Sequence, residues 1–218
     1  MKPSWPLPDI KNYKSMYRVI NLMVLALLLT IALGGCVSRE SESAQEQVAL
    51  SDSLSKFYLE KGQQITSTTF ATLSGHLLNT LESEGVDGAI RYCNLAAYPL
   101  VDSLSAVHNA EIRRTSFKVR NPENAPVGEE RQMLEVYQDL VATGKPTPPI
   151  VKQTADTVMY YAPIFVNALC LQCHGTAGTT MRAEDYAVIR ELYPEDQATG
   201  YTEGDLRGIW SIRFRDIE

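Results

Sequence analysis

The sequence contains no run of basic residues. Its 218 residues include 20 lysines and arginines against 26 aspartates and glutamates, which gives a formal net charge of −6. Because nucleic-acid-binding domains present clustered positive charge, this balance argues against a nucleic-acid partner. The sequence also has no Gly-X-Y period, no low-complexity segment and no internal repeat. These absences exclude collagen-like, disordered and repeat architectures and leave an ordinary globular composition.

Cysteines and long apolar stretches are scarce. Four cysteines are too few for a small fold held together by disulfides. One long apolar run is present, over residues 19–33, broken only by Asn21 and Thr30. Four basic residues precede it: Lys2, Lys11, Lys14 and Arg18. A basic region followed by a short apolar core is typical of a secretory signal peptide.

The end of the apolar run specifies the type of signal. Leu33-Gly34-Gly35-Cys36 resembles a bacterial lipobox, in which the cysteine is acylated and becomes the first mature residue. We therefore predict an exported lipoprotein, anchored to a membrane through lipid on Cys36 and facing the periplasm or the cell exterior. An uncleaved membrane anchor and an ordinary core helix are the alternatives, although the run is shorter than the about 20 apolar residues that span a bilayer.

These features divide the chain into three parts. We predict a lipoprotein signal peptide over residues 1–35 and a flexible tether over residues 36–48, since that segment is polar and lacks periodicity. The folded domain then covers residues 49–218. Its length of about 170 residues is enough for one hydrophobic core and not for two.

Apolar periodicity predicts helices in the first half of the domain and strands later. The predicted helices cover residues 48–61, 70–85, 86–97, 99–108, 129–141 and 183–192, and the predicted strands cover residues 111–119, 150–154, 157–165 and 210–214. The final strand alternates apolar and polar residues, which predicts that it is half-buried. The loop at 121–126 contains two prolines, which exclude both a helix and a central strand there. Helices followed by strands joined mostly as hairpins predict an α+β fold with an antiparallel sheet.

The motif with chemical content is Cys170-Leu171-Gln172-Cys173-His174. Two thiols three residues apart can bond the two vinyl groups of one haem, and the adjacent histidine then supplies an axial nitrogen to the iron. This covalent attachment takes place outside the cytoplasm, which agrees with the export signal. The sequence therefore predicts one covalent c-type haem held by Cys170, Cys173 and His174.

Two alternative chemistries are open to this motif. An exported Cys-x-x-Cys pair also forms disulfides or thioredoxin-type redox centres, but those need a βαβ context that is missing here. Zinc is the second alternative, with Cys93, Cys170, Cys173 and His174 as a Cys₃His set. Ligands on two adjacent residues fit a tetrahedral zinc site poorly.

A second axial ligand is not specified by the motif. The candidates are His76, His108, Met133, Met159, Met181 and Cys93. Cys93 differs from the others because it is the one thiol left over, and it falls on the apolar face of its helix with Ile90 and Ala97. From the residues alone, a small buried hydrophobe and an iron ligand both remain open for Cys93.

Several segments of the domain resemble a bacterial domain-of-unknown-function family of PAS-like c-type haem proteins, the Tll-like haem domain. The resemblance covers residues 50–218 and rests on four segments, which are 114–126, 162–164 with 170–175, 193–201 and 204–208. It implies a PAS-like antiparallel sheet flanked by N-terminal helices. It also implies His/Cys axial ligation, with the cysteine supplied by a helical Ala-Ile-x-x-Cys pattern that Ala89-Ile90-Arg91-Tyr92-Cys93 matches. We therefore expect His174 and Cys93 as the axial pair.

A cluster of basic residues forms the remaining site prediction. Arg113, Arg114, Lys118 and Arg120 are candidate contacts for the haem propionates, and Arg207 is a further one. The alternative is a solvated strand edge, where positive charge discourages pairing with another chain.

The expected function follows from the expected ligands. A His/thiolate iron has no open position, and thiolate donation favours the ferric state. We expect a redox or gas sensor that binds a small gas after reduction, with an unidentified redox or signalling protein as partner. The alternative is a periplasmic electron-transfer cytochrome, and a haem-free structural lipoprotein is a third class. No nucleophile or acid–base pair stands out, so we expect no enzyme.

Overall fold

The computed structural model describes residues 50–154 and 157–215. All of them belong to the second of two compact units of the chain, residues 45–218. The predicted signal peptide, the lipidated Cys36 and the tether lie outside the described residues. None of the described helices combines the length and the apolar character that crossing a membrane requires.

A helix of 56 residues, α1 (Asp52–Val107), forms the N-terminal half of the domain. Its start is capped by Ser51, whose side chain accepts a hydrogen bond from the Leu54 amide. Gly85 interrupts it with φ +72° and ψ −168°, a conformation that only glycine adopts readily. We call residues 52–84 the first arm and residues 86–107 the second arm. The four helices predicted for this region are thus two arms, and their break is the predicted one at Gly85.

The other elements are shorter. They are β1 (Ala110–Thr115), a 3₁₀ turn (Pro122–Asn124), α2 (Glu130–Ala142), β2 (Ile150–Thr154), β3 (Thr157–Phe165), a second 3₁₀ turn (Ala168–Cys170), α3 (Leu171–His174), α4 (Ala183–Leu192) and β4 (Leu206–Phe214). The strands pair in the order β1-β4-β3-β2, all antiparallel. The predicted α+β fold with an antiparallel sheet and flanking helices is confirmed.

Each face of the sheet is covered by a helix. On one face, α1 packs Tyr58 and Ile65 against Ile112, Tyr160 and Ile212, which lie side by side on β1, β3 and β4. The opposite face packs against α2, and its apolar core consists of Met133, Leu134, Tyr137, Met159, Tyr161 and Ile209. Two covered faces explain why a strand that alternates apolar and polar residues is buried almost throughout.

The prediction of a half-buried final strand is therefore wrong in extent. β4 starts at Leu206 and lies between β1 and β3, and its polar Ser211 is only 2% exposed because it faces α2. Sequence alternation identifies the two faces of a strand, but it does not show whether a second helix covers the polar one.

Gly62 follows the first predicted helix, but α1 continues through it. A Cβ atom at this position would lie 2.3 Å from the ring of Tyr160 on β3. The glycine therefore allows α1 to approach the sheet closely, which a pattern of residues cannot distinguish from a helix end.

We expect Gly62→Ala to lower the free energy of unfolding by about 1–3 kcal/mol, since the new methyl group must displace a buried aromatic ring. Gly75→Ala is the matched control, because no atom lies within 4 Å of a Cβ built there in the same helix. That substitution should raise stability by up to about 1 kcal/mol through helix propensity. Equal effects of the two substitutions in a urea titration would contradict the packing role of Gly62.

Candidate functional site

A cavity of about 340 Å³ joins the Cys170–His174 segment to α1. Its volume is within the range of small-molecule pockets. The first arm contributes Phe70, Leu77 and Leu81, spaced as one face of a helix, and the second arm contributes Ile90 and Cys93. Leu73, which is predicted on the same helix face as Phe70, packs instead against the apolar core between α1 and the sheet. The walls are therefore mainly apolar.

The Cys-x-x-Cys-His segment occupies two short turns at the end of the cavity. Asn167 caps the first turn, with its side-chain oxygen 3.2 Å from both the amide nitrogen and the Sγ of Cys170. Cys170, Cys173 and His174 all line the cavity. The fold thus brings these predicted residues to the same cavity as Cys93, which comes from a distant part of the sequence.

The imidazole of His174 is oriented by a backbone oxygen. Its Nδ1 lies 2.7 Å from the carbonyl oxygen of Ala198, so Nδ1 carries the hydrogen and donates it. Nε2 is then the unprotonated nitrogen, which is the form that binds a metal. Burial lowers the pKa of His174 well below its ordinary value, and the charges of Arg120 and Arg207 lower it further. A neutral imidazole is therefore favoured at His174.

The three thiols of the site are free, and burial keeps two of them, Cys93 and Cys173, in the protonated form. Cys93, Cys170 and Cys173 form no disulfide among the described residues. Burial raises the pKa of Cys93, opposed by the nearby positive charges of Arg114 and Arg120. Burial likewise raises the pKa of Cys173 to about 11. Without a metal, neither thiol is a reactive thiolate.

The disulfide and zinc alternatives gain nothing from this geometry. The three cysteines of the cavity are free thiols rather than a disulfide-bonded pair. Within residues 50–154 and 157–215, no group of three or more histidine, cysteine, aspartate and glutamate side chains lies close enough to hold a metal ion. The alternative Cys₃His set of Cys93, Cys170, Cys173 and His174 is therefore not gathered as a zinc site.

Among the six candidates for a second axial ligand, Cys93 is the one that lines the cavity. His76 stacks on Tyr92, with ring centroids 6.0 Å apart. His108 forms the C-cap of α1. The methionines belong to other clusters. Met133 of α2 and Met159 of β3 lie in the core between α2 and the sheet, and Met181 packs with Ile90 and Ile189.

The basic residues separate into two groups because neighbouring strand residues face opposite sides of the sheet. Arg114 faces the same side as Ile112 and lines the cavity together with Arg120 and Arg207. Arg113 faces α2 and pairs with Glu130, with 3.0 Å between Nε and Oε1. Lys118 is exposed and donates to the carbonyl of Thr199.

The Arg113–Glu130 pair predicts a stability effect. The Glu130 side chain is 5% exposed and also accepts a hydrogen bond from the Val127 amide. Arg113→Ala should therefore cost about 2–3 kcal/mol of unfolding free energy, since it leaves a buried carboxylate unpaired. Arg213→Ala removes the partner of the exposed Glu111 and should cost less than about 1 kcal/mol. Chemical denaturation of both variants checks this, and similar costs would contradict it.

Two hydrogen-bond donors of the cavity find no acceptor side chain in the described part of the chain. The Tyr98 hydroxyl is buried and has no hydrogen-bond partner among the described residues. Arg114 lies with its guanidinium 5.7 Å from the ring centroid of Trp210, and no carboxylate of the described chain pairs with it. Burial lowers the pKa of Arg114 and raises the pKa of Tyr98. Because buried donors are normally satisfied, the Tyr98 hydroxyl indicates an acceptor group that enters the cavity, and the positive charge of Arg114 favours an anionic one.

Sequence reasoning missed Tyr98 and Ala198. Tyr98 lies five residues after Cys93 in the same helix, and a tyrosine in an amphipathic helix resembles any other core residue. Ala198 acts through its backbone oxygen, which no residue type reveals. The family resemblance of segment 193–201 was the one signal that pointed to this region.

The residues present fit the chemistry of a haem. They offer two thiols for thioether bonds and a neutral imidazole nitrogen for the iron. The apolar enclosure suits the ring, and the cationic and hydroxyl donors suit the two carboxylates. The cavity lining alone therefore supplies a partner for each chemical part of the cofactor.

Comparison of the whole chain with known proteins identifies its family. The model of the family described as Tll0287-like matches residues 37–215. No curated protein matches the chain. The cyanobacterial haem protein Tll0287, whose crystal structure is solved, is 23% identical to this chain in sequence. The two structures are similar over 67% of this chain and 90% of that one, with a TM-score of 0.49. Because the family model covers more than half of the sequence, the chain belongs to the Tll0287-like family.

Proposed function

We propose that this protein binds one haem covalently through Cys170 and Cys173, with His174 as an axial ligand. The observation that carries the proposal is the apolar cavity that joins the Cys-x-x-Cys-His segment to Cys93, Tyr98 and Arg114. The orientation of His174 by the Ala198 carbonyl supports the same role, since it leaves Nε2 free. Membership of the Tll0287-like family agrees with the resemblance found in the sequence, and the haem itself was expected from the Cys-x-x-Cys-His motif.

Cys93 is proposed as the second axial ligand. It lies on the second arm of α1 and lines the same cavity as His174. Arg114 and Arg120 are close enough to favour its thiolate form. Binding to iron would remove the proton that burial otherwise keeps on the sulfur. The two arginines would then partly compensate the negative charge.

Arg114 and Tyr98 are proposed as the propionate contacts. Both face the cavity; among the described residues the Tyr98 hydroxyl has no hydrogen-bond partner, and Arg114 contacts the Trp210 ring and no carboxylate. An arginine fork and a phenolic hydroxyl are suitable donors for a carboxylate. Arg113 and Lys118 are not proposed for this role, because their side chains are engaged away from the cavity.

The function proposed for the assembled site is redox or gas sensing by an exported, lipid-anchored protein. When bound, the haem supplies an iron that alternates between ferric and ferrous states. Cys93 and His174 would together hold that iron, so a small gas could bind it only if one of them were released. Reduction would favour release of Cys93, because a ferrous iron holds an anionic ligand less strongly than a ferric one.

The test uses the full chain expressed with haem-maturation machinery. Denaturing gels stained for haem should show covalent haem, and absence of the stain would overturn the proposal. Optical spectra should show a ferric thiolate signature and, after dithionite reduction, binding of carbon monoxide. A spectrum that keeps both axial ligands after reduction and ignores carbon monoxide would overturn sensing and indicate electron transfer.

A further inference from the structure

A buried ion pair between Arg120 and Asp196 contacts the backbone of the Cys-x-x-Cys-His segment. Arg120 Nε is 3.1 Å from Asp196 Oδ1, and the Asp196 side chain is fully buried while that of Arg120 is 15% exposed. The same guanidinium places Nη2 2.6 Å from the carbonyl oxygen of Cys173. Arg120 therefore connects the haem-attachment segment to the 193–201 loop.

The pair also holds the acceptor of the His174 hydrogen bond. Asp196 Oδ1 accepts from the Ala198 amide at 2.9 Å, which fixes the orientation of that residue. The Ala198 carbonyl accepts from His174 Nδ1 at 2.7 Å and, more weakly, from Arg120 Nη2 at 3.4 Å. Ala198 is fully buried, so water does not compete for this oxygen.

We propose that the Asp196–Arg120 pair positions the Ala198 carbonyl and sets how strongly His174 donates electrons to the bound haem. This inference rests on the proposed function, in which His174 ligates the iron. Asp196 and Arg120 are positioning residues here, since they act on the iron through His174 and through their charges. Neither of them is proposed as a ligand of the iron.

The two members of the pair should act in opposite directions. Asp196 compensates the charge of Arg120, and a hydrogen bond from Nδ1 to a well-held acceptor makes an imidazole a stronger electron donor. Without Asp196, the positive charge of Arg120 near His174 is uncompensated. This charge weakens electron donation by the imidazole and so disfavours ferric iron. Without the arginine, an uncompensated buried anion favours ferric iron.

The experiment measures the midpoint potential of the full-length haem protein and three variants. Asp196→Asn should raise the potential, Arg120→Gln should lower it, and the double variant should return towards the wild-type value. Damage to the fold alone would shift both single variants in the same direction and would add in the double variant. Shifts of equal sign, or no shift in either single variant, would overturn the inference.

Glu130→Gln is the matched control. The Arg113–Glu130 pair has similar geometry, with 3.0 Å between Nε and the carboxylate, and is similarly buried, but it lies on the opposite face of the sheet. Its loss should lower stability without changing the potential, and a shift as large as that of Asp196→Asn would overturn the inference. If Asp196→Asn does not accumulate, the sign of the Arg120→Gln shift decides alone: a fall supports the inference, and a rise or no change overturns it.

A second readout separates this inference from the proposed function. In the Cys93→Ala background, the iron–histidine stretching frequency of the reduced protein reports the strength of the Nδ1 hydrogen bond. Asp196→Asn should lower that frequency, and an unchanged frequency would overturn the positioning role while leaving haem ligation by His174 intact. Absence of covalent haem from the wild-type protein would overturn the proposed function and this inference together.

Discussion

Replacing Cys170 and Cys173 together by serine is expected to abolish covalent haem attachment. Serine preserves the size and the short turns of the segment, and the Asn167 cap of the first turn depends on the backbone amide of residue 170 as well as on the thiol. The hydroxyl does not form the thioether bond, so haem should leave the chain on denaturation. Haem staining after denaturing electrophoresis should fall from full intensity to background.

The control for this result is Cys93→Ser, which removes a thiol from the same cavity without touching the attachment motif. That variant should retain its covalent haem. Staining that persists in the double variant would show that the motif does not attach haem. Staining lost in Cys93→Ser as well would indicate that any thiol loss disrupts the fold rather than the chemistry.

Replacing Cys93 by alanine is expected to have the second largest effect. The ferric thiolate signature should disappear, and an axial position should open to carbon monoxide and other small ligands. Because an anionic ligand that favours ferric iron is lost, the midpoint potential should rise by on the order of 0.1–0.3 V. Optical spectra and a redox titration of the full-length protein measure both effects.

Met159→Leu serves as the control for this second prediction. Met159 is a candidate ligand from the sequence but packs under α2, on the far face of the sheet. A conservative apolar replacement there should leave spectrum and potential unchanged. A spectrum that depends on Met159 and not on Cys93 would contradict the assignment of the axial ligand.

The local features of this protein are largely predictable from its sequence. The break at Gly85, the end of α2 before Gly144 and the hairpin of β2 and β3 follow from glycine, proline and apolar spacing. The Cys170–His174 motif is equally recognisable in the sequence, because its proposed chemistry depends on residues that are close together in the chain. Short-range pattern in residues 50–215 therefore predicts most of their secondary structure and one half of the candidate site.

The joining of α1 across four predicted helices illustrates the limit of such patterns. In the sequence Gly62 resembles a helix end, yet the helix continues through it. The residue is a glycine there because the ring of Tyr160 leaves no room for a side chain. Propensity is a small free energy, and close packing of a long helix on a sheet outweighs it.

The other half of the site depends on contacts between distant segments. Strand register decides which of the basic residues reaches the cavity, since it turns Arg114 towards α1 and Arg113 towards α2. The acceptor for His174 is a backbone oxygen, held by the pairing of residues 120 and 196. Neither arrangement follows from the residue types alone.

The sequence by itself determined the kind of chemistry that we propose, whereas the tertiary structure decided its surroundings. Thiols and a histidine at fixed spacing predict attachment of a haem wherever the segment lies, since the proposed bonds involve only those side chains of the protein. The enclosure by two helical arms, the approach of Cys93, and the convergence of Tyr98 and Arg114 on the cavity arise when residues far apart in sequence are packed together. Burial and charge environment are properties of that packing, and no local pattern contains them.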